Sequence, residues 1–305
     1  MQQLDLASVF GRHEFFIRRL HSLLGLMPIG GYLAFHLATN GAIIDGLAAY
    51  QHRADQIHKL GPTTILILEW SLIFLPILFH GLVGVLIVTR GKRNVVHYPY
   101  EGNVRYTLQR ATGVIALAFI LWHVFQMHGW LRAGWWVEHV ARPLGGARFD
   151  PEHAATAAAV IQSSWIVPVL YAVGTLACVY HLANGVWTLG ITWGVWTSPR
   201  AQRWAKIPCA AIGLALALVG LGALWGMLRA EVPPAGLRSP SQPAASVPSW
   251  SLGTRKGMFP SWSLGTRKFD SARKRKRKSR PASPLTTHHS PLTFSSTPQG
   301  TLPDV

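Results

Sequence analysis

Apolar residues in this chain gather into five long runs, at roughly residues 20–41, 64–89, 110–131, 163–190 and 206–228. At about 1.5 Å of rise per residue, each run is long enough to cross a hydrocarbon layer of about 30 Å. A backbone in lipid must satisfy its own hydrogen bonds, so the pattern predicts five transmembrane α-helices and an all-α membrane protein. Trp130, Trp135, Trp136, Trp165, Trp193 and Trp196 fall near the ends of the runs, where interfacial aromatic belts form.

Polar residues between the runs predict the orientation. Arg18 and Arg19 precede the first run, Arg90, Lys92, Arg93, Arg105 and Arg110 lie between the second and third, and Arg200, Arg203 and Lys206 lie between the fourth and fifth. These groups share one side of the bundle, and the positive-inside rule makes that side the cytoplasm, with the N-terminus cytoplasmic. Asp5, Arg12, Glu14, Arg18 and Arg19 before the first run, and the lack of a prompt small-residue cleavage site, argue that this run is a retained helix rather than a signal peptide.

Composition sharpens the picture in two places. Charged residues make up 13% of the chain, against about 25% in a soluble domain. The net charge of +17 would suggest a nucleic-acid partner in a soluble protein, but +10 of it sits in residues 233–305, and the rest flanks the helices, so no nucleic acid is expected. Those last residues are rich in Pro and Ser. They repeat one nine-residue string at a 12-residue spacing, from Pro248 to Lys256 and from Pro260 to Lys268, and carry six consecutive cations from Arg273 to Lys278. Such a segment cannot bury a core and is expected to be disordered. The expected organisation is a cytoplasmic segment at 1–17, a transmembrane domain at 18–232 and a basic tail at 233–305.

Within the apolar runs, four histidines stand out: His36, His80, His123 and His181, one on each of the first four helices. A histidine at membrane depth is costly and suggests function, although a single one more often serves as a helix–helix hydrogen bond. Their depths are informative. His36 follows Arg19 by 17 residues and His123 follows Arg110 by 13, or about 25 and 20 Å of helix from the cytoplasmic side. His80 precedes Arg90 by 10 residues, and His181 follows Ser164 by 17 on a helix that starts outside. His36 and His123 thus form an outer pair, and His80 and His181 an inner pair. Two imidazoles at one depth suit a six-coordinate b-type haem, which leaves no open position for oxygen and passes electrons. Two such haems, one above the other, make a path across the bilayer.

Other residues are weaker candidates. Arg19, Ser22 and Arg110, with His21 beside them, stand where inner haem propionates would need partners. His21 and His128 complete no pair at a common depth. Gly30, Gly31, Gly81, Gly84, Gly113, Gly174 and Gly185 flank the histidines, either as ordinary small-residue helix packing or as room for a flat macrocycle. Glu69 is the one acid inside an apolar run, either a proton acceptor at an outer quinone or an interfacial acid near a helix start. Cys178 and Cys209 read as small buried hydrophobes. No Cys-x-x-Cys-His occurs, so covalent haem attachment is excluded, and no cysteine cluster is present for an iron–sulfur centre.

Several separated motifs carry a family resemblance. They are the run from Arg18 and Arg19 through His21 and Ser22 to Gly25, Phe74 to His80 with Pro76 inside, Leu108 to Gly113, Trp122-His123-Val124, Tyr180-His181 through Asn184 and Gly185 to Trp187, and Thr192-Trp193-Gly194 followed by Ser198-Pro199-Arg200. Over roughly residues 13–228 the chain resembles the cytochrome b558 subunits of succinate dehydrogenase, the five-helix dihaem type shared with fumarate reductases. The resemblance implies a five-transmembrane-helix bundle enclosing two b-type haems, with His36, His80, His123 and His181 as axial and metal ligands. It implies a bacterial cytoplasmic membrane, flavoprotein and iron–sulfur partner subunits, and quinone, menaquinone in many members, as electron acceptor. The chain itself would be the electron-transfer subunit, with no succinate site. Some fumarate reductases of this type place a glutamate two residues before the last haem histidine. Here Val179 stands in that place, which favours the succinate-oxidising direction.

Three alternatives remain at this level. One is a fumarate reductase subunit running in reverse. Another is an unrelated dihaem cytochrome b of the bc type, which puts two histidines half a membrane apart on each of two helices. The third helix here offers only His123 and His128, five residues apart, against that plan. The last is a proton-relaying transporter, which would need broken helices and acidic partners at mid-depth.

Overall fold

The computed structural model describes residues 6–91 and 95–233. The expected tail at 233–305, with its repeat and basic run, falls outside the described residues except for Pro233. Among the described residues five helices are long and apolar enough to cross a membrane: α1 (His13–Asp45), α3 (Pro62–Arg90), α4 (Glu101–His128), α6 (Ile166–Thr192) and α7 (Pro199–Arg229). Shorter helical segments lie between them in the chain, among them α2 (Leu47–His58) and α5 (Ala155–Ile161). The chain is a multi-pass, all-α membrane protein. The end at which α1 begins is called the near end, and the opposite one the far end.

Local sequence explains where these helices start, stop and widen. Gly61, at φ 79°, turns the chain into Pro62 at the head of α3, where a missing N–H costs nothing. Ser198 caps α7, its hydroxyl accepting from the Ala201 N–H, with Pro199 at the first helical position. Gly129, left-handed at φ 81°, closes α4. Two membrane helices contain wide π-type turns, at Gly25–Gly30 in α1 and Glu69–Phe74 in α3. Pro28 lies within the first and Pro76 just beyond the second; each lacks an N–H and crowds the carbonyl four residues earlier, and a wider turn relieves that crowding. The helix of α4 begins nine residues before the apolar run predicted from Arg110, because Glu101 to Gln109 continue it as about two and a half polar turns toward the aqueous side.

Helix α6 is the centre of the bundle. It packs against α4 on one side and α7 on the other, while α1 leans its near half on α3 and its far half on α7. Tyr171, Gly174, Ala177, Cys178, Val179, Asn184 and Gly190 of α6 are all buried. Close approach depends on small residues: a side chain at Gly220 would run into Thr175 and Leu37, and one at Gly174 into the Phe119 ring. Outward, Leu214, Leu218, Leu78, Leu82 and Ile207 are exposed, the apolar surface that a lipid-facing helix presents. Cys178 and Cys209 are buried thiols, as their apolar context predicted.

A tightly packed cap closes the far end. Tyr50 and Ala54 of α2, Ala154, Ala157, Ala158 and Ile161 around α5, Ile43, Tyr171, Ala223 and Met227 form one buried apolar cluster. Gln51 ties α2 to the α5 segment by donating to the Pro151 carbonyl and accepting from the Ala154 N–H. Gln162 donates to the Met227 and Ala230 carbonyls and so satisfies the end of α7.

Candidate functional site

The four histidines meet in two pairs. His80 of α3 and His181 of α6 have ring centres 6.0 Å apart, with planes at 90°. His36 of α1 and His123 of α4 have centres 5.8 Å apart, with planes at 71°. The first pair lies toward the near end and the second toward the far end, as the depth counting predicted. Two imidazoles on opposite faces of one metal, each with a metal–nitrogen distance of about 2.0 Å, would hold their ring centres roughly 6 Å apart.

Each imidazole also has a protein partner at its Nδ1, and for His80 and His181 that partner settles the tautomer. His80 Nδ1 donates to the His21 carbonyl at 2.9 Å, and His181 Nδ1 to the Gln109 carbonyl at 3.0 Å. A carbonyl only accepts, so in both rings Nδ1 carries the proton and Nε2 the lone pair. His123 Nδ1 lies 3.1 Å from the Tyr171 hydroxyl, whose own proton goes to Gln126 Oε1 at 2.9 Å. His36 Nδ1 is 3.5 Å from the Tyr32 hydroxyl, and Asn40 Nδ2 sits 3.3 Å from His36 Nε2, the longer of its two contacts with that residue. All four arrangements agree with Nδ1–H and an Nε2 lone pair, the state of a ligating histidine whose other nitrogen is tied to the protein. Among the described residues no group of three or more His, Cys, Asp or Glu is placed to hold a metal ion, but a b-type haem asks only two ligands of the protein. The residues present therefore fit that group.

The near pair is built on a repeated device. Gly25 stands four residues after His21, and Gly113 four residues after Gln109. In a helix, the residue at i+4 stands over the carbonyl of residue i. A Cβ on Gly25 would lie 2.4 Å from His80 Cε1, and one on Gly113 would lie 2.8 Å from His181 Cε1. Each glycine opens a helical carbonyl to an imidazole from a neighbouring helix. The flanking glycines thus divide by role: Gly113 makes room for an imidazole, Gly174 for the Phe119 ring and Gly30 for Leu182, while Gly31 has open space around it. Gly25 was not singled out from the sequence, and its signal was the spacing from His21.

At the near end, Trp193 joins two of the predicted propionate contacts: its indole N–H donates to Ser22 Oγ at 3.3 Å, and the Arg19 guanidinium lies over its ring. Arg19 also donates to the Thr192 carbonyl, and its Nε is buried with no hydrogen-bond partner among the described residues. Arg110 is held by a different element, donating to the Ile87 carbonyl near the end of α3 and lying over Tyr106. His21, set aside from sequence as interfacial, stacks face to face on His80 at 3.9 Å. Gln109 and Asn184 stood in the family motifs without an assigned role. Asn184 is buried, donates to Gln109 Oε1 and accepts twice from Arg105, so a run of hydrogen bonds leads from His181 to the near surface.

At the far end, Glu69 is paired with Arg132 and has His128 Nε2 at 3.7 Å. Its side chain is only 16% exposed, so it is not the water-facing acid that one sequence reading allowed. Glu69 Oε2 and His128 Nδ1 are buried without hydrogen-bond partners among the described residues. Phe74 packs edge-on against His128.

The chain is 36% identical over 219 residues to the succinate dehydrogenase cytochrome b558 subunit of Bacillus subtilis (strain 168), a match spanning 72% of this chain and 99% of the relative. The chain belongs to the succinate dehydrogenase cytochrome b558 subunit family. No family model and no solved structure matches it. As a cytochrome b subunit, the chain has a reason for intramembrane histidines that helix packing alone would not supply.

Proposed function

We infer that this chain is the membrane anchor of a succinate dehydrogenase and carries two b-type haems, one held by His80 and His181 and the other by His36 and His123. The observation that carries this reading is the meeting of four imidazoles in two pairs, each ring with its Nδ1 turned to a protein partner, and with the Nε2 of His80, His123 and His181 left carrying the lone pair. A bis-histidine haem supplies one-electron transfer and has no open coordination site. The near end is the cytoplasmic one, where Arg19, Arg105, Arg110, Arg203 and Lys206 gather and where flavoprotein and iron–sulfur subunits would dock. Arg19 and Ser22, joined through Trp193, suit the propionates of the inner haem, and Arg110 stands close in sequence to Gln109, which holds His181. Glu69, His128 and Arg132 are the candidate site of the quinone head at the outer end, with menaquinone the expected acceptor. Glu69 would accept or return its proton there, and Arg132 would hold the carboxylate in place.

Succinate oxidation is favoured over fumarate reduction by Val179, which is buried on α6 where a proton-carrying acid would otherwise stand. A haem assay with a reduced-minus-oxidised spectrum of the purified complex tests the proposal. Two b-type haems per chain are expected, and a colourless wild-type protein would sink it.

A further inference from the structure

The far pair contains a buried hydrogen-bonded unit that no role in electron entry or quinone binding accounts for. Tyr171 and Gln126 are 9% and 7% exposed, near the far ends of α6 and α4. Burying two polar side chains there is costly unless each is satisfied. The Tyr171 hydroxyl has one proton and gives it to Gln126 Oε1 at 2.9 Å. Its oxygen can then only accept from His123, whose Nδ1 lies 3.1 Å away. Phe119 and Trp122 pack edge-on against the Tyr171 ring at 5.4 and 5.3 Å and hold it in that orientation. The direction of the whole chain depends on which end of the carboxamide faces the phenol. Were Gln126 to present its NH2, the phenol would donate to His123 instead, and the lone pair of that ring would move to the wrong nitrogen.

We propose that Tyr171, oriented by Gln126, is a positioning residue for His123: it fixes the ligating tautomer and strengthens the imidazole as a donor, and so lowers the midpoint potential of the far haem alone. The inference rests on the four-histidine reading above. An Nδ1–H bond to a good acceptor raises the basicity of a ligating imidazole, which favours the oxidised metal. The near pair needs no such unit, because main-chain carbonyls serve His80 and His181.

Redox titration of the intact complex tests this, with the far haem identified by its loss in His36→Ala. Tyr171→Phe should keep both haems, raise the far midpoint and leave the near one in place. Gln126→Leu should move the far midpoint the same way by less, because the phenol remains but its oxygen becomes a poorer acceptor. A far midpoint that stays put in Tyr171→Phe with both haems bound overturns the proposal, as does an equal movement of both haems. Should Tyr171→Phe lose the far haem outright, Gln126→Leu decides, and an unmoved far midpoint there overturns it. A wild-type complex without two haems defeats the four-histidine reading instead.

Discussion

The two histidine layers are alike in their ligand pairs and different in what holds them. In the near layer the Nδ1 acceptors are main-chain carbonyls, of His21 for His80 and of Gln109 for His181, exposed by Gly25 and Gly113. In the far layer the Nδ1 partners are phenols, Tyr171 for His123 and, at 3.5 Å, Tyr32 for His36. A carbonyl comes with the helix and cannot be deleted by substitution; only the glycine that uncovers it can. A phenol can be removed one atom at a time. The near layer is therefore sensitive to added bulk and the far layer to lost polarity, although both meet the same chemical need.

The sharpest test of that contrast is removal of a ligand. His80→Ala or His181→Ala should abolish the near haem, and His36→Ala or His123→Ala the far one, read as loss of one of two spectral components with the other retained. Loss of both components from any single substitution would show that the layers are not separable units. Next in size, Gly25→Ala and Gly113→Ala should displace His80 and His181 at a cost of about 1–3 kcal/mol of overpacking and reduce near-haem occupancy. The haem-to-protein ratio and the thermal midpoint measure this, and a far-layer loss in these variants would contradict the division. Glu69→Gln should leave both haems bound while lowering quinone-linked turnover, by about 100-fold if the carboxylate moves the proton. Unchanged turnover would leave Glu69 as an ion-pair partner of Arg132 only. The smallest effect belongs to the far cap. Burial pushes the Tyr50 phenol from 10.0 up to about 12, so the folded state holds that proton more tightly than the unfolded state. The stabilisation is complete below pH 10 and is lost as pH rises toward 12, so the protection factors of far-end amides, corrected for intrinsic base-catalysed exchange, should fall in that window while those of the near end hold.

Much of this protein was legible because lipid leaves few choices. Apolar runs of twenty or more residues read directly as α1, α3, α4, α6 and α7, and arginine counting separated their two ends. Depth along a straight helix is arithmetic, so the pairing of His36 with His123 and of His80 with His181 could be stated before any contact was seen. The helix boundaries were less legible, since Glu101 to Gln109 are polar and still helical. The contact of His21 with His80 was not legible for a related reason: only the crossing of α1 with α3 lays one ring on the other.

The sequence by itself determined the class of structure, the helices long and apolar enough to cross a membrane, the two depths and the four histidines proposed as haem ligands. These follow from local rules, hydropathy and helical rise, which act within one segment. Only the tertiary structure decided which nitrogen of each histidine is free, which glycines serve imidazoles, and that Tyr171 and Gln126 stand behind His123. Tyr171 and His123 are 48 residues apart on different helices, and Gly25 and His80 are 55 apart. Hydrogen bonds between such partners depend on how helices rotate and cross against one another, which no pattern within a single helix encodes.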